Sequence, residues 1–204
     1  MKYSIIYADP PWKYGFWYQS EDVKRNAADH YAVMDTEGLC KLPIPSLADD
    51  NCALFLWVTF PCLPDGLEVI KQWGFRYTTC AFVWVKMNES GFGVFTGLGN
   101  YTRANAELCL LGMKGSLPRL SHSVHQIIMT PLGKHSRKPD EVVRPRILEL
   151  FGNLPRVELF ARRKVEGWDC WGNEVESDVV LSREEGNGRG EYADMPVCRT
   201  TRGA

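Results

Sequence analysis

Runs of consecutive apolar residues, too short to span a bilayer and too continuous for the face of a surface helix, recur along this chain and constrain its fold more than any other feature. The candidate strands lie at residues 3–8, 53–58, 79–86, 106–113, 124–129 and 156–161. Most lack the polar alternation of a half-exposed strand, which is what a sheet covered on both faces requires. Residues 36–40, 63–73 and 140–151 carry helical patterning between them, with Gly152 as the expected stop of the last. Alternation of the two kinds of segment predicts a layered α/β domain. A chain of 204 residues with 45% hydrophobic content has material for one substantial core. Longer polar or glycine-rich stretches interrupt the pattern at 13–35, 88–105 and 114–138. Loops of that length more often carry function than serve as neutral connectors. The ordered domain is expected over 1–175. Residues 176–204 are acidic and lack apolar periodicity, so this tail is expected to be disordered.

Several function classes are disfavoured by composition. No apolar run approaches the roughly 20 residues of a membrane span, and the start MKYSIIYADP lacks a signal-peptide layout, so a soluble, cytoplasmic protein is expected. The seven cysteines form no C-x-x-C pair and sit mostly in apolar surroundings, which reads as reduced core thiols. His122 and His125 have no third ligand candidate nearby, and Gly91, Gly93, Gly97 and Gly99 have the wrong spacing for a dinucleotide fingerprint. The formal net charge of −1 conceals an asymmetry, because residues 103–164 hold twelve basic against five acidic side chains. Such an excess suits a phosphate-facing surface, or else a scattered solvated face.

Chemistry concentrates first at Ala8-Asp9-Pro10-Pro11-Trp12, directly after the run Tyr3 to Tyr7. Parallel strands of open α/β sheets present ligand chemistry at their carboxyl ends. Two prolines stop the strand, fix φ and leave both carbonyls as pre-aimed acceptors. Asp9, Pro10 and the indole of Trp12 can therefore grip a flat molecule bearing an amino group, such as a nucleobase. Taken alone, the pentapeptide is equally compatible with an ordinary turn and a core tryptophan.

Its company decides between these. ADPPW is followed in order by FLWV (55–58), WVK (84–86), HSRKPDE (135–141), ELFAR (158–162) and WGNE (171–174). This series, over roughly residues 3–176, resembles the DPPW adenine-N6 methyltransferases. The resemblance implies a single Rossmann-like domain that binds S-adenosylmethionine, with a permuted motif order in which the catalytic motif comes early and the cofactor strand late. It implies that Glu158 sits in the cofactor pocket, that Arg162 and Asn173 hold the ribose with Glu174 beside them, and that Lys138 meets the methionine carboxylate. Asp9 lies where the cofactor's charged end and the target amine arrive.

Those assignments make chemical sense. Adenine's exocyclic amine is a poor nucleophile, because its lone pair is delocalised into the ring. The Asp9 carboxylate and the Pro10 carbonyl can accept its two hydrogens, and Pro11 fixes the turn. This favours a pyramidal nitrogen aimed at the methyl group and acts chiefly in the transition state. Trp12 is expected to stack on the target ring, which in a duplex must first be flipped out. Lys13, Tyr31, Arg103, His135 and Arg137 are the residues expected to meet nucleic acid. The expected activity is methyl transfer to adenine N6 in DNA. The alternatives are an RNA adenosine N6-methyltransferase and a catalytically silent nucleic-acid-binding subunit. Family members often work as paired domains, so a homodimer through the 88–105 loop is a further expectation.

Overall fold

A computed structural model describes residues 1–13, 33–99, 101–133, 137–185 and 188–191, the last eight of these as backbone only. Its main sheet has seven strands in the order β5-β3-β4-β2-β1-β6-β7. Along the chain these are β1 (Tyr3–Ala8), β2 (Ala48–Val58), β3 (Arg76–Met87), β4 (Ala106–Lys114), β5 (Ile127–Pro131), β6 (Arg156–Leu159) and β7 (Asp169–Trp171). β1 runs parallel to both β2 and β6, whereas β4 lies antiparallel between β2 and β3. The helices are α1 (Thr36–Cys40), α2 (Ile44–Leu47), α3 (Leu63–Gln72) and α4 (Asp140–Phe151).

The continuous apolar runs are buried on both faces, as their composition requires. All six residues of β1 are buried. Alternate side chains split between two clusters. Ile6, Ala8, Leu54, Leu56, Val58, Val157 and Leu159 pack with Leu39, Val69, Ile70 and Trp73 from the α1/α3 side. Ile5, Tyr7, Phe55, Trp57, Phe82 and Trp84 pack with Val143, Ile147 and Phe151 of α4 on the other. Helix α4 ends where expected, because Gly152 adopts φ 80°, a conformation that costs glycine little, and donates its N–H to Leu148 O at 2.7 Å.

Packing continues past residue 175. Val179 and Leu181 join the α1/α3 cluster, Asp178 N–H donates to Cys170 O at 2.8 Å, and β8 (Ser182–Glu185) pairs antiparallel with β9 (Gly188–Glu191). The residues just beyond the expected boundary therefore pack on the domain, because two apolar side chains amid polar neighbours find uncovered surface at the β7 edge. Among the described residues, no helix is long and apolar enough to cross a membrane.

Strand register brings distant motifs to one sheet edge. Ala8 pairs with both Leu56 and Leu159, and Leu159 pairs with Trp171. The segments beginning at Asp9, Phe160 and Gly172 therefore leave their strands at one level, beside Trp57 in the last pleat of β2. Antiparallel β4 begins at that same edge, where Glu107 pairs with Trp84 of β3.

Candidate active site

Asp9 stands at this edge with its side chain 32% exposed, 3.1 Å from Lys138 Nζ. The same ammonium lies 2.7 Å from Glu107 Oε2, and Glu107 also pairs with Lys86. One cation thus serves two carboxylates, and Glu107 has a second cation of its own. Burial alone would push the Glu107 carboxyl up, yet Lys138 and Lys86 outweigh it and hold it below its ordinary value. Asp9 is the less neutralised acid: desolvation pushes its carboxyl up, Lys138 opposes this, and Glu107 adds repulsion. Lys138 is raised above its ordinary value despite burial, because Asp9 and Glu107 both favour the ammonium. Its Nζ also lies 5.6 Å from the Trp57 ring centroid, in cation–π range.

Deeper in the same edge runs a second polar chain. Trp57 Nε1 donates to Tyr7 Oη at 2.7 Å, and Tyr7 Oη donates to Asp140 Oδ1 at 2.6 Å. Arg144 Nη2 lies 3.3 Å from Asp140 Oδ2 and also holds the Glu158 carboxylate through Nε and Nη2 at 2.8–3.1 Å. Burial raises the Glu158 carboxyl to about 7; Arg144 works against this, while Asp140 and Asp9 add to it. The ends of β6 and β7 are joined by backbone. Phe160 takes a left-handed φ of 62°, uncommon for a bulky residue, and its ring packs edge-on against Trp171 at 5.3 Å. The Ala161 N–H donates to Trp171 O at 3.0 Å. A Cβ on Gly172 would fall 2.1 Å from Ala161 O, so only glycine permits this approach. Arg162 Nε and Glu174 Oε1 consequently lie 3.8 Å apart, both half-exposed.

The structure brings Asp9 and Lys138 together, and likewise Arg162 and Glu174, with Asn173 exposed beside the latter. Lys13, Arg103 and Arg137 are exposed on loops that border this edge. Tyr31 and His135 lie outside the described residues.

Three expectations need correction. Trp12 does not present a stacking face: it is 7% exposed, packs in the α1/α3 cluster and donates Nε1 to Trp57 O at 2.9 Å, because the indole is the largest apolar body at this turn. The proline carbonyls are not both unoccupied, since Pro10 O accepts the Trp12 N–H and Pro11 O accepts the Met34 N–H, each at 2.9 Å. A carbonyl has two lone pairs, so Pro10 O keeps acceptor capacity. The Glu158 carboxylate is engaged by Arg144 through both oxygens and is 12% exposed, so it stands at this edge as a guanidinium partner that keeps part of its acceptor capacity. Arg144, counted with the basic surface, is itself 5% exposed. Arg146, half-buried, donates to His125 O and Ile127 O at 2.7 and 3.0 Å.

Glu107, Lys86, Tyr7, Asp140 and Arg144 were missed as site residues. A signal existed for Glu107, a lone carboxylate inside the apolar run AELCLLGM, and for Lys86, which closes WVK. A charge in a doubly covered strand needs a partner.

Fold and site together define a class: an α/β methyltransferase fold with an acid–lysine pair at the carboxyl edge of its sheet. The MT-A70 family profile matches residues 3–174, and the chain belongs to that family. It is 36% identical over 195 residues to the Type II methyltransferase M.MunI of Mycoplasma sp, covering 88% of this chain and 80% of that protein. It is 30% identical over 184 residues to the human N(6)-adenosine-methyltransferase catalytic subunit METTL3, covering 88% of this chain and 29% of that protein. A putative N(6)-adenosine-methyltransferase of Medicago truncatula is 31% identical over 202 residues, and this chain spans 30% of it.

Proposed function

We propose that this chain transfers a methyl group from S-adenosylmethionine to the exocyclic N6 amine of adenine in DNA, with the target base flipped out of the helix. The observation that carries the proposal is the under-neutralised Asp9 carboxylate, partly exposed at the strand edge and held by Lys138. The DNA substrate is supported by similarity to M.MunI over four-fifths of that protein's length. The chain spans under a third of the eukaryotic N(6)-adenosine-methyltransferases it matches, so their names supply the second reading, an RNA substrate.

The donor set suits the cofactor. Its amino-acid end carries a carboxylate and an ammonium, which match Lys138 and the Asp9/Glu107 acids. Its ribose diol needs donors and acceptors, which Arg162, Asn173 and Glu174 offer at the β6 and β7 ends. When bound, S-adenosylmethionine supplies an electrophilic methyl on a sulfonium centre. The chain's own task is positioning: Asp9 accepts one amine hydrogen and Pro10 O, through its remaining lone pair, the other. Asp9 acts as an acceptor and orienter of the amine, since the cationic product loses its proton readily. Lys13, Arg103 and Arg137 are exposed, which supports their meeting backbone phosphates and would make binding fall steeply with salt. The 88–105 loop exposes Phe92, Leu98 and Tyr101, which supports a second copy of the chain as its partner; solution mass with and without DNA tests this.

Incubation with methyl-labelled cofactor and matched DNA or RNA oligonucleotides tests the reading. Label recovered as N6-methyladenine from DNA, preferentially over RNA, is expected. Preferential labelling of RNA would favour the second reading, and label on cytosine or on neither polymer would overturn both.

A further inference from the structure

We propose that Arg144 is a positioning residue of the methyl-transfer site, coupling the turn that carries Lys138 to the end of β6; the inference rests on the methyltransferase reading above. Arg144 lies one turn inside α4, on the face packed against the sheet, with its side chain 6% exposed. Its guanidinium holds two carboxylates from different elements, Asp140 at the start of its own helix and Glu158 on β6.

Stability alone is a weak reason for this arrangement. A buried ion pair is often no better than well-packed apolar side chains of the same volume, because desolvation offsets the attraction. The contacts instead lead toward the site. Glu158 is the register partner of Tyr7, two residues before Asp9. Asp140 follows Lys138 by two residues and accepts from Tyr7 Oη. Tyr7 Oη in turn accepts from Trp57 Nε1, and the Trp57 ring lies beneath Lys138 Nζ. Every link from Arg144 to Lys138 is therefore a hydrogen bond, an ion pair or a cation–π contact. The guanidinium suits this place because its planar fork meets one carboxylate with two parallel donors and still reaches a second, which an ammonium cannot reproduce.

Removing the guanidinium would leave Asp140 and Glu158 facing each other with Asp9 close by. One of them would take up a proton and become a donor, in competition with the Tyr7 hydroxyl for the lone pairs of its neighbour. The Asp140 turn would lose its fixed register against β1, and Lys138 would move with it. The charged and titratable groups facing Glu158 are Arg144 and Asp140 from α4, Asp9 from the end of β1, Tyr7 beside it, Cys170, its register partner on β7, and Arg163 from the segment after β6.

The test compares Arg144→Gln, Arg144→Lys and Arg144→Gln/Glu158→Gln with the unaltered protein, each checked for folding by circular dichroism. At pH 7.5, Arg144→Gln is expected to raise the KM for S-adenosylmethionine about tenfold or more, with a smaller loss in kcat, because misplacement of a binding group costs on this order. The acid limb of kcat/KM for the cofactor moves to higher pH in that variant. Arg144→Lys keeps the charge without the fork; its KM rises less and its acid limb stays in place. The double variant, lacking the orphaned acid, restores the position of the limb. Folded variants with unchanged cofactor KM and unchanged limbs would overturn the proposal, as would equal losses in cofactor KM, DNA KM and kcat that merely track melting temperature. Should Arg144→Gln not fold, the Lys variant decides the point through its KM. Cofactor affinity measured by calorimetry separates the two inferences. Cofactor binding without methyl transfer to DNA would defeat the proposed activity, while the affinity ratio still decides the role of Arg144; no cofactor binding by the unaltered protein would defeat both.

Discussion

Replacing Glu158 with glutamine removes one ionisable group from the buried chain, and its effect on stability follows from the position of that carboxyl. In the fold it is raised from 4.5 to about 7, chiefly by burial, with a side chain only 12% exposed. The sign follows from proton uptake. Between these values the folded protein holds a proton that the unfolded chain has released. The stability this group contributes is fully present below 4.5 and is lost as pH rises through 7. At ~1.36 kcal/mol per pH unit, the loss amounts to about 3 kcal/mol by pH 8. For a chain of this size that is a change in Tm of roughly 6–12 °C. Glu158→Gln cannot ionise, so its stability should not decline through this window. Urea unfolding of both proteins from pH 4.5 to 8 should give curves that diverge by about 3 kcal/mol in the variant's favour. Parallel curves, or a wild type that gains on the variant as pH rises, would refute the reasoning, because Arg144 would then have fully compensated the buried charge.

Trp12→Phe loses the hydrogen bond to Trp57 O and leaves unfilled core, with an expected cost of about 1–3 kcal/mol in chemical denaturation; unchanged stability with weakened adenine binding would instead make Trp12 a stacking face. Gly172→Ala places a methyl against Ala161 O and should cost about 1–3 kcal/mol, with weaker cofactor binding by calorimetry. Lys138→Met strips Asp9 of its cation and leaves Glu107 only Lys86, so the acid limb of the methyl-transfer profile should move to higher pH and stability should fall by roughly 3–5 kcal/mol.

Much of the fold was legible because burial on both faces leaves continuous apolar runs. β1, α1 and α4 have the expected limits, and β6 begins where expected but ends at Leu159, where Phe160 turns left-handed. β7 escaped because Asp-Cys-Trp is too short to show a period, and β2 starts earlier than expected because Asp49, Asp50 and Asn51 look like a turn. The same edge of the sheet was legible as a site from motif order. What each side chain faces was not. Trp12 reads as an aromatic after a catalytic turn, but only the register of β1 and β2 reveals its burial. Arg144 reads as one more surface cation, because nothing local distinguishes an arginine that meets water from one that meets Glu158 across a strand. Glu107 was visible as a charge in an apolar run, yet its partners Lys86 and Lys138 come from segments far apart in the chain.

The role of Asp9 is tested most directly by the rate at which label from methyl-labelled S-adenosylmethionine appears as N6-methyladenine in DNA, for the unaltered protein and Asp9→Ala. Loss of an acceptor aimed at the reacting amine should slow transfer by about a hundredfold or more with the fold intact. An Asp9→Ala protein that methylates adenine at the unaltered rate would contradict it.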